Sequence, residues 1–149
     1  MEIDPNNPVV KLCAEGTAAE MAGRVAEAAA LYHQAWEARS DDYDACIVAH
    51  YLARVQSSAA EVLRWNQAAL DHAGAVADPE RVKMFYPSLH LNLGKSYEDI
   101  GEAAEARRLY ELAERGATTL PNGRLTEMVQ RGAAEGLRRV SGQSRSATD

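Results

Sequence analysis

The chain has one phenylalanine, and aromatic residues make up 6% of its 149 positions. Valine and isoleucine are sparse beside alanine. Sheets draw on branched and aromatic side chains to cover their faces, so this composition points away from a sheet protein and toward helices packed through small residues. Two cysteines do not make a disulfide framework and fit reduced thiols. No apolar run reaches the roughly 18 residues that a membrane-spanning helix needs. Basic charge is also short. Sixteen Lys and Arg against 22 Asp and Glu give a net charge of −6. No basic stripe is present, which argues against nucleic acid as a partner. Met1 to Pro8 is acidic and polar, without the basic-then-apolar order of a secretion signal, so a cytoplasmic location is expected. No phosphate-cradling loop is present. Gly94-Lys95-Ser96 matches only the end of one, Leu89 stands where its first glycine belongs, and no strand precedes it.

What the chain does have is one spacing written twice. Gly16, Gly23, Ala28, Tyr32 and Ala35 are separated by seven, five, four and three positions, and Gly94, Gly101, Ala106, Tyr110 and Ala113 repeat those intervals. Tyr97 adds an aromatic three positions after Gly94. A degenerate middle copy has Ala49, Glu61, Trp65 and Ala68 at matching places. Repeated small residues at these intervals describe a helix–turn–helix hairpin. The glycine and first alanine let two helices cross closely, and the tyrosine fills the gap above them.

The length fits one domain with a continuous core. Local signals predict seven helices. The first covers about 8–22, with Asn7 as cap and Pro8 in the first turn. The second covers about 25–39. The third covers about 43–55, after the polar Ser40-Asp41-Asp42. The fourth covers about 59–73, behind a Ser58/Glu61 capping box. An insertion of about eleven residues relative to a regular repeat period falls within 71–87. Asp78-Pro79-Glu80 reads as an early start of the fifth helix, which is then about two turns too long and contains Pro87, expected to kink or divide it. The sixth covers about 103–115. After the turn Leu120-Pro121-Asn122-Gly123, the seventh covers about 124–140. Its apolar stripe is Leu125, Met128, Val129, Ala133, Leu137 and Val140, backed by a charged face. The organisation is an N-terminal arm (1–8), hairpins at about 9–41, 42–77 and 79–120, a capping helix (124–140) and a polar, disordered tail (141–149).

Few residues invite chemistry. Cys13, Cys46 and His50 fall on equivalent helix faces and would offer soft ligands to zinc. Cysteine as a small filler of alanine-rich packing is the stronger reading, so neither a metal, a cofactor nor a disulfide is expected. Tyr43, His50 and Arg54 form a polar-aromatic stripe suited to an acidic or aromatic peptide side chain, or to solvent. His33, His72 and His90 read as surface or packing residues, Trp36 and Trp65 as core. The run 102–108 reads as a solvated face with ordinary ion pairs.

The glycine–alanine–tyrosine ladder resembles the tetratricopeptide repeat over about Val9 to Pro121, with the seventh helix similar to that family's capping helix. The first hairpin departs from the family pattern at Ala19, where an aromatic is usual, and at Ser40, where a proline is. The resemblance implies an all-α, right-handed helical-hairpin solenoid of three repeats. It also implies a non-catalytic protein or peptide-binding role in a concave groove lined by first helices. On this chain the groove would hold Val10, Cys13, Thr17 and Glu20, then Tyr43, Cys46, His50 and Arg54, then Ser88, Leu91, Lys95 and Glu98. The family's carboxylate-clamp subclass does not fit, because Cys13 and Thr17 stand where the clamp wants Lys and Asn. The alternative is a homodimeric scaffold joined through the long fifth helix or the seventh.

Overall fold

A computed structural model describes the backbone of residues 4–148 and the side chains of residues 4–142. Residues 1–3 of the expected arm and Asp149 of the expected tail lie outside them. Among the described residues the chain is all-α, with seven α-helices and no strand. It forms two compact units, Met1–Val82 and Lys83–Asp149.

The first unit holds two hairpins, α1 (Pro8–Met21) with α2 (Val25–Ala38), and α3 (Asp42–Arg54) with α4 (Ala59–Ala75). Side-chain caps start three of these helices. Asn7 accepts from Val9 N–H at 2.9 Å, Asp41 from Asp44 N–H at 2.8 Å, and Ser58 from Glu61 N–H at 3.1 Å. The Glu61 carboxylate turns to Arg64 at 2.8 Å. Gly23 ends α1 at φ +82°. Arg24 N–H then bonds Ala19 O at 2.9 Å and Gly23 N–H bonds Glu20 O at 3.0 Å, the paired closure that a left-handed residue permits. Inside the hairpin, Tyr32 lies fully buried against Gly16, where an added Cβ would meet the ring at 2.4 Å. Ala28 and Ala35 are fully buried, as the ladder requires.

The insertion does not lengthen a helix. It forms two single 3-10 turns, Pro79–Arg81 and Lys83–Phe85, and α5 begins only at Tyr86. Pro87 sits in the first turn of α5, where its missing N–H removes no bond, so it neither kinks nor divides the helix. Asp78 does act as a cap, accepting from Glu80 N–H at 3.2 Å, but of a single turn. Val82 between the two turns is fully buried, and the Arg81 guanidinium lies 3.8 Å over the Tyr43 ring.

The second unit holds α5 (Tyr86–Asp99), α6 (Ala103–Ala117) and α7 (Arg124–Thr148). Gly101 ends α5 at φ +87°, with Glu102 N–H on Tyr97 O at 2.9 Å, the same closure as in α1. Tyr110 lies against Gly94 and also against Gly136 of α7. Val129, Ala133 and Val140 of the expected stripe are buried, Leu137 is half-buried, and Leu125 and Met128 turn out to solvent at 45% and 59% exposure. The α7 backbone continues as helix through 141–148, where the polar pattern predicts a tail. No proline interrupts that stretch.

Close packing makes a paired test. A Cβ on Gly136 would meet Tyr110 Cζ at 2.4 Å, whereas one on Gly74 of α4 meets nothing within 4 Å. Gly136→Ala should cost about 1–3 kcal/mol by overpacking. Gly74→Ala should be neutral or gain about 0.5 kcal/mol from helix propensity. Urea melts of the two variants check this, and equal stabilities would refute the close-packing account.

Candidate functional site

The same three-residue node recurs in both units. In the first, Tyr32 Oη donates to Glu20 Oε1 at 2.8 Å, and Arg54 of α3 reaches Glu20 Oε2 with Nη2 at 2.8 Å and Nε at 3.2 Å. In the second, Tyr110 Oη donates to Glu98 Oε1 at 2.6 Å, and Arg139 of α7 reaches Oε2 with Nε at 2.8 Å and Oε1 with Nη2 at 3.1 Å. Each node ties a hairpin to the helix that follows it through charge-assisted bonds. The tyrosine lies over the glycine four positions before the glutamate, Gly16 and Gly94 respectively. The Glu98 side chain is only 7% exposed. The Arg139 guanidinium, helped by the Tyr110 hydroxyl, holds its carboxyl below the usual value of 4.5 against the opposing effect of burial. Burial raises the Tyr32 phenol to about 12, so it donates at any physiological pH.

Of the residues expected to line a groove, three do not face solvent. Cys13, Tyr43 and Cys46 are 3%, 3% and 1% exposed. Both cysteines are free thiols. Burial raises Cys13 to about 12 and Cys46 to about 11, which keeps them protonated and inert. Tyr43 is roofed by Arg81. Their spacing gives no sign of this burial, and for Tyr43 the cover comes from the insertion. Leu91 packs under α7, against Gly132. Arg54, Glu20 and Glu98 belong to the two nodes. Thr17 is half-buried; its Oγ1 donates to Cys13 O at 2.9 Å and lies 3.3 Å from Tyr32 Oη. His50 is half-buried, edge-on to Tyr51 at 5.3 Å, and burial, with Arg54 adding, lowers its pKa. Val10 and Ser88 are half-buried, and Lys95 is exposed, with Nζ 2.7 Å from Asp99. The accessible polar groups on these faces are therefore Thr17, His50 and Arg54 in one unit, and Ser88 and Lys95 in the other.

A solved structure entitled the Sgt2 TPR domain from Aspergillus fumigatus is similar to this chain over 97% of its residues and 83% of that domain's, with a TM-score of 0.61 and 20% sequence identity. The fold is that of a tetratricopeptide-repeat domain. No family model matches the sequence, and no curated protein matches it. Among the described residues no helix is long and apolar enough to cross a membrane.

Within the tetratricopeptide fold, two features lie outside the first-helix faces. An open polar cleft of about 460 Å³ is lined by Glu37, Arg39, Ser40, Asp41, Asp42, Ala45 and His72, with His72 Nδ1 2.8 Å from Asp42 Oδ1. Beside it Trp36 meets Trp65 edge-on at 5.0 Å, and Arg39 lies 4.0 Å over Trp36. Trp65 is buried, as expected, and Trp36 is half-buried. Among the described residues no three His, Cys, Asp or Glu side chains are grouped as metal ligands.

Sequence reasoning missed two residues. Asp44, 3% exposed, accepts from Asn7 Nδ2 at 2.9 Å and from Ser40 N and Oγ at 3.0 Å, fastening the start of α1 to α3. Nothing in its spacing announces this. Arg139 was legible in principle. Glu20 and Glu98 each fall four positions after the ladder's first glycine, and a repeated buried carboxylate asks for a cation.

The Glu98 node has a pH signature. A carboxyl whose folded pKa lies below its unfolded value stabilises the fold above pH 4.5, and that contribution is lost as pH falls through the folded value. Glu98→Gln should therefore cost about 1–3 kcal/mol near neutrality, the scale of a hydrogen bond to a charged group. The gap to the parent chain should close in acid. Denaturant melts across pH read this directly, and a gap that stays constant into acid would refute the ionic node.

Proposed function

We propose that this chain is a non-catalytic protein-interaction module that holds a peptide or a partner helix against its first-helix faces. The observation that carries this reading is the tetratricopeptide fold over 97% of the chain. Each unit by itself offers polar side chains on its first helices, Thr17 and His50 in one and Ser88 and Lys95 in the other, which supports it. With Glu20 paired to Arg54, Glu98 to Arg139 and Lys95 to Asp99, the polar groups left at these faces are chiefly the hydroxyls of Thr17 and Ser88 and the His50 imidazole. That set suits a partner that offers carbonyl oxygens and amide groups more than one that relies on charge. Buried apolar contact would come from the stems of these side chains, as for long cationic residues generally.

Photo-crosslinking tests the face. A crosslinking residue at Thr17 or Lys95 should trap a partner in cells, whereas one at the exposed His33 or Glu111 of the second helices should not. Trapping only from His33 and Glu111 would overturn the assignment.

Self-association through α7 is a second reading, favoured by one observation: the half-exposed Leu125 and Met128, three positions apart. Light scattering over a range of concentrations should then report a dimer that Met128→Lys returns to monomer. A monomer at all concentrations would remove this reading.

A further inference from the structure

The chain has five asparagines, Asn6, Asn7, Asn66, Asn92 and Asn122, and the fold holds back all but one. Asn7 precedes a proline, which has no N–H, and its side chain is bonded to Val9 N and Asp44. The N–H that follows Asn6 belongs to Asn7 and is tied to Asp4 O at 3.1 Å. Asn66 and Asn92 lie inside α4 and α5, where the following N–H belongs to the helix and the following side chains are Gln67 and Leu93. Asn122 differs in every respect. It is exposed, in the bend between α6 and α7, and is followed by Gly123. A Cβ at Gly123 would meet nothing within 4 Å, so solvent reaches this peptide freely. Among the described residues neither the Asn122 side chain nor the Gly123 N–H has a hydrogen-bond partner, while the Gly123 carbonyl caps α7 by accepting from Glu127 N–H at 3.0 Å.

We propose that Asn122-Gly123 is a self-modification site, at which the asparagine converts to aspartate and isoaspartate at the start of α7. The Gly123 nitrogen, after losing its proton to hydroxide, attacks Asn122 Cγ. The new N–Cγ bond forms as the Cγ–Nδ2 bond breaks, and the nitrogen leaves as ammonia with a proton from water. Water then opens the cyclic imide at either carbonyl. Breaking the N–Cγ bond leaves an aspartate in place of Asn122 with the original main chain. Breaking the other N–C bond gives isoaspartate, with the chain routed through Cγ. No oxidant or reductant takes part, and glycine speeds the step because any Cβ at 123 hinders ring closure.

The two products act differently on α7. The aspartate product puts a carboxylate just before the helix N-terminus, where the macrodipole favours negative charge. Isoaspartate adds one carbon to the main chain between Pro121 and Thr126, a span closed by the Thr126 Oγ1 bond to Pro121 O at 2.6 Å. The isoaspartyl chain loses that closure, and the first turn of α7 frays.

Incubating the native chain in mildly alkaline, ammonia-free buffer tests this. Tryptic digestion then isolates residues 116–124. That peptide should gain the mass of exchanging NH for O and split into two isomers, while the peptides holding the other asparagines stay unchanged. Gly123→Ala and Asn122→Gln should keep the parent circular dichroism, the first slowing conversion several-fold and the second abolishing it. Amide exchange at Thr126 and Glu127 should be faster in the isoaspartyl species than in the aspartyl one. Conversion at Asn66 or Asn92 instead, an unslowed Gly123→Ala, or equal amide protection in the two species would each overturn the proposal.

Discussion

A tyrosine ring laid over a glycine, with its hydroxyl held at the rim by a carboxylate, is the interaction on which the rest of each unit depends. The ring is buried because the glycine leaves it room; an added Cβ would meet it at 2.4 Å at Gly16 and 3.1 Å at Gly94. Burying a phenol demands a partner for its hydroxyl, and the glutamate one helical turn after the glycine supplies one. A carboxylate so placed is half-desolvated and needs a cation. Arg54 and Arg139 come from the next helix in the chain. The requirement of one buried ring thus propagates through three side chains to fix which helix packs next and in what register.

The middle hairpin shows what happens without the node. Ala49 and Trp65 replace the glycine and tyrosine, and both are buried. Tryptophan has no hydroxyl to hold, and Ala53 stands one turn after Ala49 where the other copies have glutamate. Orientation comes instead from aromatic edges and cations, with Trp36 against Trp65 and Arg64 4.9 Å over Trp65. This hairpin is fastened to α1 by the buried Asp44, which accepts from both Asn7 and Ser40. Asp44 is charged and buried, and its acceptor capacity is matched by donors from Asn7 and Ser40, the condition under which burial of a charge is tolerated.

Much of the fold was legible because packing intervals are rigid. The distance from Gly16 to Tyr32 along the chain is set by helix geometry and a short turn, so it survives wherever the same hairpin is built. The insertion was not legible for the same reason turned around. Asp78-Pro79-Glu80 starts a helix and starts a 3-10 turn with equal ease, and only the burial of Val82 and the seat of Arg81 on Tyr43 decide between them. Periodicity also groups Cys13, Tyr43 and Cys46 with the expected groove residues without revealing that all three are buried. The face is a local property, whereas the cover of Tyr43 comes from Arg81, more than thirty residues along the chain.

The consequence for recognition follows from where the charges are consumed. Glu20, Glu98, Arg54 and Arg139 are committed to holding helices together, and the cysteines and Tyr43 to filling the core. Side chains so committed discriminate poorly among ligands, since moving them costs packing as well as contacts. On the proposed reading, selectivity then rests on side chains of the first-helix faces that lie outside the nodes and the core, Thr17, His50, Ser88 and Lys95. Their number is small because a unit built from alanine and glycine packs through close backbone approach and a few large residues. On that reading the nodes hold the helices of each unit in register and the side chains outside the nodes meet the partner.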